Sequence, residues 1–133
     1  MRIGPFCVVT MSADLVIGDF ECVSHGARVL SSSDDLSGGR ICGPMVPPHR
    51  GHVVAGWIEF GRHAVLGANS VILPGGGLGE GTTVGALSLV KTLLEPWTVN
   101  AGVPTRVVGR RDRAGVLADE GRLVGEVRRR PGN

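Results

Sequence analysis

A large apolar residue recurs at every sixth position through the middle of this sequence. The register consists of Val54, Phe60, Leu66, Ile72, Leu78, Val84 and Val90. A small residue stands two places before most of them, and these small residues are Ala64, Ser70, Gly76, Thr82 and Ser88. Six residues of an α-helix turn through about 600°, which would scatter the apolar side chains around the helix axis. A single half-buried strand would instead require a period of two.

A fixed period of six predicts a solenoid, in the form of a parallel β-helix. Three six-residue units would close a triangular coil, with each large apolar side chain pointing inward and stacking on its copies about 4.8 Å away. The N-terminal part carries the repeat in two phases. Ile3 and Val9 share one phase, and Met11, Ile17, Val23 and Val29 share the other. A two-residue slip near residues 10–12 reconciles them, so the sequence predicts an all-β fold of about four coils.

Two segments interrupt the repeat. Residues 31–52 have no period and are rich in Ser, Gly and Pro, and an aperiodic loop of this length in a compact domain is usually functional or disordered. Pro96 breaks the register near the other end of the coils. We therefore expect a solenoid over residues 1–110, with a loop excursion at 31–52. A helical tail over 111–133 would place Leu117, Val124 and Val127 on one side and cap the open end of the stack.

Composition limits the possible partners and compartments. The net charge of +2 is too small to indicate a nucleic-acid or membrane partner. No apolar run approaches the roughly 18 residues of a membrane span, and the N-terminus lacks the pattern of a signal peptide. Cys7, Cys22 and Cys42 have neither metal-ligand spacing nor the even number of a disulfide framework. These features favour a reducing, cytoplasmic location.

Two stretches resemble a known family, the hexapeptide-repeat acyltransferases. They are the repeat VLGANSVILPGGGLGEGTTVGALSLV and the segment LEPWTVNAGVPTRVVG that follows it. The likeness covers residues 1–110, and its more specific part is the closing Ala101, Gly102 and Pro104. It implies a left-handed parallel β-helix, a homotrimer, and direct transfer of an acyl group from acetyl-CoA. The loop stretches SSSDDLSGG (31–39) and GPMVPP (43–48) resemble a branch that acetylates sugars, often nucleotide-linked, for polysaccharide assembly.

The resemblance also implies positions for the acyl-CoA site. Ala86 and Ser88 match the coil stretch that lines the pantetheine arm of the donor. Lys91 and Arg106 match basic positions that meet its phosphates. Gly102 and Pro104 match residues that shape the end of the groove, which in this family lies between neighbouring subunits.

The catalytic position departs from the family pattern. In the sugar and galactoside acetyltransferases the base is a histidine where the loop begins, but the hexads place Asp34 there. Our hypothesis is that Asp34, alone or with Asp35, orients and deprotonates an amino sugar. His25 and His52 are rival bases, while His63 is expected at a solvated surface corner. The ordinary alternative is that these aspartates only start the loop, since Asp favours turns by bonding its own backbone.

Two other functions fit the same repeat. One is a solenoid that has lost catalysis and serves as a scaffold. The other is a metal hydratase of the γ-carbonic anhydrase type, which needs three histidines from adjacent coils. The four histidines here do not have that spacing, so no metal site is expected.

Overall fold

The computed structural model describes residues 1–130, and most of its strands, which are short, belong to three sheets. The first sheet has the order β1 (Arg2–Ile3), β4 (Cys22–Val23), β9 (Val65–Leu66), β12 (Thr83–Val84), β15 (Thr98–Ala101) and β16 (Arg106–Arg110). The second has the order β13 (Leu89–Val90), β10 (Val71–Ile72), β5 (Arg28–Leu30) and β2 (Val8–Thr10). The third has the order β14 (Leu93–Leu94), β11 (Gly77–Leu78), β8 (Ile58–Phe60) and β3 (Leu15–Ile17).

Outside the loop excursion and the β15–β16 pair, consecutive strands belong to different sheets, and every third strand lies in the first sheet. The neighbours in each sheet run parallel, apart from β15 and β16, which are antiparallel. Ile72, for example, is opposite Val90 on one side and Val29 on the other. The remaining elements are an antiparallel pair, β6 (Ser32–Asp34) and β7 (Val53–Ala55), and one helix, α1 (Arg113–Arg129). The predicted β-helix class is confirmed.

The core is a column of the repeating apolar side chains. The predicted register is buried from Phe60 through Val90, and so are the small residues two places earlier. Val54 is the exception, because it belongs to β7 and is 42% exposed. The buried part of this register therefore begins at Phe60, after the excursion. Ile58, two places earlier, is also fully buried. Regular layers of aliphatic side chains fill this core almost without aromatic rings.

The glycines that follow the apolar residues are required by the neighbouring coil. A Cβ atom on Gly67 would lie 2.5 Å from the carbonyl carbon of Gly85, and one on Gly61 would lie 2.5 Å from the backbone nitrogen of Glu80. The close stacking of coil on coil, rather than the turn alone, thus excludes larger residues at these positions.

Both ends of the repeat contain a register shift. Ile3, Val9 and Ile17 pair with Val23, Val29 and Phe60, so two extra residues enter the chain before Ile17, as predicted. The hydroxyl of Ser31 accepts hydrogen bonds from the backbone of this inserted corner, at Ser12 and Ala13.

At the other end, the register was expected to break at Pro96, and the shift occurs slightly earlier. Leu94 already stands only four residues after Val90 and pairs with Leu78. The chain then continues into β15, where the buried Asn100 occupies the inward position.

The C-terminal helix lies against a corner of the coils rather than over their end. Asp112 caps its first turn by accepting a hydrogen bond from the backbone of Gly115. Glu120 contacts the corner residues Arg62 and His63, whereas β16 covers the edge of β15. The predicted capping of the open end is therefore wrong, and Val127 is half exposed. Positions 131–133 of the predicted tail lie outside the described residues.

Among the described residues, no helix has the length and apolar character needed to span a bilayer.

Candidate active site

The two ends of the loop excursion meet in an antiparallel hairpin. Ser33 pairs with Val54 and Asp34 with Val53, and the backbone N–H of Asp35 donates to the carbonyl of His52 at 3.0 Å. The excursion thus closes at Ala55 rather than at residue 52. Its hairpin brings three of the predicted catalytic residues, Asp34, Asp35 and His52, to the same place on the coils.

The carboxylate of Asp35 is already engaged. Its Oδ1 accepts hydrogen bonds from the Ser37 hydroxyl at 2.9 Å, the Ser37 backbone at 3.1 Å and the Gly38 backbone at 3.0 Å. Its Oδ2 lies 3.3 Å from Nδ1 of His52. The Ser37 hydroxyl first, and then these other donors, lower the pKa of Asp35 below its ordinary value. Asp35 is therefore a fixed anion that orients the loop and His52, and it is a weak proton acceptor.

The side chain of Asp34 is free by comparison. It is partly buried, and among residues 1–130 it makes no side-chain hydrogen bond or ion pair. It lines two open cavities, one of about 540 Å³ within the excursion and one of about 390 Å³ between the excursion and the coils. A carboxylate between two cavities is within reach of groups that bind in either of them.

Lys91 lines the second cavity together with Asp34 and Asp35. It follows β13 at the corner where the excursion leaves the coils, and its side chain is exposed. Its ammonium group is more than 4.0 Å from either carboxylate. Lys91 therefore contributes positive charge beside the two aspartates.

Another group of predicted site residues lies at a different corner. His25 stands between β4 and β5, and Ala86 stands between β12 and β13; both are exposed. The segment containing Gly102 and Pro104 runs beside β13, because Leu89 donates to the Gly102 carbonyl at 3.0 Å. Ala86 and Gly102 form a strip of small exposed residues, next to the exposed side chains of Leu87 and Val103. Arg106 is exposed at the start of β16.

Ser88 differs from the expectation for a residue lining this groove. Its side chain is buried, its hydroxyl donates to the Gly85 carbonyl at 2.8 Å, and it accepts from the Gly102 backbone at 3.1 Å. Ser88 thus fixes the position of Gly102 from inside the coil rather than presenting a group to the surface.

His63 was expected at a solvated corner, and this is wrong. Its ring is buried, stacks on Phe20 with centroids 5.1 Å apart, and has Nε2 2.5 Å from Oε2 of Glu120. Glu120 also pairs with Arg62, while Arg111 donates to the His63 carbonyl at 2.6 Å. This histidine anchors the helix and is remote from both groups above. Across residues 1–130, no cluster of three or more His, Cys, Asp or Glu residues has the arrangement of a metal site.

Sequence reasoning missed the apolar wall of the larger cavity. Ile41, Pro44, Val46 and Val53 line it together with Asp34. They belong to an aperiodic loop, in which no hydrophobic period identifies inward-facing residues. The only available signal was the unusual apolar content of the stretch GPMVPP.

The comparisons with known proteins agree with this fold. No family model matches the sequence. The chain is 30% identical over 113 residues to a dTDP-4-amino-4,6-dideoxy-D-glucose acyltransferase of Escherichia coli, covering 85% of this chain and 59% of that protein. It is similar to a crystallised variant of AntD, an N-acyltransferase from Bacillus cereus in complex with dTDP and coenzyme A. That likeness has 31% identity and a TM-score of 0.86, and it covers 92% of this chain and 67% of that one.

A galactoside acetyltransferase in complex with coenzyme A shares the fold, at 21% identity and a TM-score of 0.66 over 86% of this chain and 56% of that one. The fold and these relatives define the class, and the chain belongs to the hexapeptide-repeat acyltransferase family. It spans about half to three-fifths of the length of the curated relatives that it matches.

Proposed function

We propose that this protein transfers an acyl group, with acetyl-CoA as a donor, to the amine of a sugar or nucleotide-linked sugar. The observation that carries the proposal is the unpartnered carboxylate of Asp34 between two cavities, on a fold whose relatives are sugar acyltransferases. An amine acceptor suits this carboxylate better than a hydroxyl does, because an aspartate is a poor base for a hydroxyl near neutral pH. The relatives named above include two acyltransferases of amino sugars or amines.

Direct transfer requires only one proton acceptor at this position. The nitrogen lone pair of the uncharged amine attacks the thioester carbonyl carbon, and a C–N bond forms. Asp34 accepts the proton that the nitrogen releases, and the C–S bond breaks as the carbonyl re-forms. The departing thiolate takes the proton from Asp34, which leaves free CoA, an amide and the original carboxylate. Lys91 lines the same cavity as Asp34, so we assign its positive charge to the developing oxyanion in place of the phosphates that the resemblance implied.

The AntD structures provide a second support for Asp34. They include variants at an aspartate and at a serine ten residues before it. Ser24 precedes Asp34 by the same interval in this chain. The equal spacing supports Asp34 rather than Asp35 as the proton acceptor, in agreement with the hydrogen bonds that already occupy Asp35.

We further propose a left-handed coil of about four turns and a homotrimer whose active sites lie between chains. The support is the separation of the predicted residues, since Asp34 and Lys91 are at one corner of the coil and His25, Ala86 and Gly102 at another. Three-fold packing of triangular coils would set one chain's excursion against a neighbour's other corner. A cytoplasmic location fits the three free thiols and the need for acyl-CoA.

The direct test is turnover with acetyl-CoA and a dTDP-linked amino sugar, followed by release of the free CoA thiol. Asp34→Asn should lower turnover by about 10²–10⁴-fold and leave CoA affinity unchanged. The matched control is Asp119→Asn, at an exposed helix residue, which should behave as the wild type. Unchanged turnover in Asp34→Asn would overturn the assigned base. Absence of both turnover and CoA binding in the wild type would favour the scaffold interpretation.

A further inference from the structure

The cavity within the excursion is open to solvent, and most of its lining residues are apolar. Its volume is about 540 Å³, and its side chains include Ile41, Pro44, Val46, Pro48 and Val53. Among the described residues that line it, only Asp34 is ionisable. The carboxylate therefore lies at the edge of a mainly apolar cavity that is open to solvent.

The backbone of this cavity offers few hydrogen-bond donors. Pro44 and Pro48 have no N–H group. The N–H of Val46 donates to the Gly43 carbonyl at 3.1 Å, and that of Gly51 donates to the Pro47 carbonyl at 3.1 Å. A ligand rich in hydroxyl groups would lose hydrogen bonds to water here without replacing them. The chemistry of the wall therefore selects an apolar occupant.

We propose that this cavity receives the acyl chain of the donor, and that the protein prefers acyl groups of four or more carbons to acetyl. This inference rests on the proposed function, in which the thioester carbonyl reacts beside Asp34. The pantetheine arm would approach Asp34 from the cavity that contains Lys91, and the chain would extend beyond Asp34 into the loop cavity. An acetyl methyl would leave most of the space unfilled and forgo the contacts that a longer chain makes with the wall.

Calorimetric binding of CoA, acetyl-CoA and butyryl-CoA tests the proposal without an acceptor. Two additional buried methylenes should make butyryl-CoA bind about tenfold more tightly than acetyl-CoA. Val46→Trp fills the cavity and should reduce this difference to about twofold or less, while the affinity for CoA itself stays the same. The matched control is His49→Trp, which places the same bulk at an exposed loop position outside the cavity wall and should retain the tenfold difference.

The possible failures are distinguishable. Equal binding of acetyl-CoA and butyryl-CoA by the wild type would overturn the acyl cavity and leave the transfer reaction standing. A tenfold difference that persists in Val46→Trp would show that the chain binds elsewhere, which also overturns the assignment. No binding of CoA in any form would remove the proposed function and this inference together. A circular-dichroism spectrum of Val46→Trp matching the wild type ensures that these comparisons concern folded protein.

Discussion

Glu21 is a carboxylate buried in the core without a partner. It is 2% exposed, and neither side-chain oxygen has a hydrogen-bond partner among the described residues. It occupies the inward corner position that Ala64 and Thr82 occupy in later coils. The hydroxyl of Thr82 satisfies itself by donating to the Glu95 carbonyl at 2.8 Å. Glu21 instead extends beneath Gly18, where a Cβ atom would lie 2.8 Å from its Oε1.

Replacing Glu21 by methionine should therefore stabilise the protein. Glu21→Met keeps the side-chain length and removes an unsatisfied buried carboxylate, which should raise the free energy of unfolding by about 1–3 kcal/mol. Urea unfolding at neutral pH measures the effect. Glu59→Met, at a partly exposed outward position, should change stability by less than about 0.5 kcal/mol. A lower midpoint for Glu21→Met than for the wild type would show that the carboxylate has a stabilising partner.

The residue pattern predicted most core positions but not this one. Leu66, Ile72 and Leu78 follow from the period of six because the same inward position recurs in each coil. Glu21 also stands two places before an inward residue, Val23, where the pattern requires a small side chain. A charged residue at this position contradicts the pattern of small residues, and only the structure shows that Glu21 is nevertheless buried. Such a mismatch between pattern and residue is a usable sign of an unusual site.

The C-terminal helix is held mainly by polar contacts. None of its residues is buried, so the apolar area that it covers is small. Glu120 receives Arg62 and His63 from the coil corner, and Arg111, just before the helix, donates to the carbonyls of His63 and Gly81. The attachment of the helix therefore depends on Glu120.

Glu120→Gln should loosen the helix without unfolding the coils. His63 and Arg62 would lose a charged acceptor in a partly buried setting, which should lower the free energy of unfolding by about 1–3 kcal/mol. Limited trypsin digestion followed by mass spectrometry should then show faster cleavage within α1. Glu126→Gln, at an exposed position of the same helix, is the matched control. Equal cleavage rates for both variants would mean that the attachment of the helix does not depend on Glu120.

Among the secondary-structure elements, the strands that belong to the hexapeptide repeat could be predicted from the sequence. Elements positioned by a single contact could not. The strands recur with the period of six, and their pairing follows from stacking identical coils. The place of α1 depends on Glu120 meeting His63, 57 residues away, and one charged pair leaves no periodic signal. The hairpin of β6 and β7 is similar, because β6 lies within the aperiodic loop and the period of six wrongly assigned Val54 of β7 to the core. The sequence indicated that the excursion matters, but not that it returns His52 to Asp35.

The predicted site residues lie at two different corners of the coil, and a single chain does not bring these corners together. Asp34 and Lys91 lie where the excursion leaves the coil, whereas Ala86 and Gly102 lie at the preceding corner. The repeat predicts the shape of a single coil stack, since each coil contacts only its neighbours. It contains no comparable signal for contacts between chains, which depend on outward side chains that follow no strict period.

A homotrimer with sites between chains predicts complementation between two inactive variants. Asp34→Asn removes the carboxylate from one corner, and Ala86→Trp blocks the pantetheine strip at the other, on an exposed side chain. In co-expressed, randomly mixed trimers about one site in four would combine an intact excursion with an intact neighbouring corner. Activity should recover to about a quarter of wild type, in a particle of three times the chain mass of 13.8 kDa by light scattering. If each site were built within one chain, every site would contain one of the two substitutions, and co-expression would restore no activity. That result would exclude a site shared between chains.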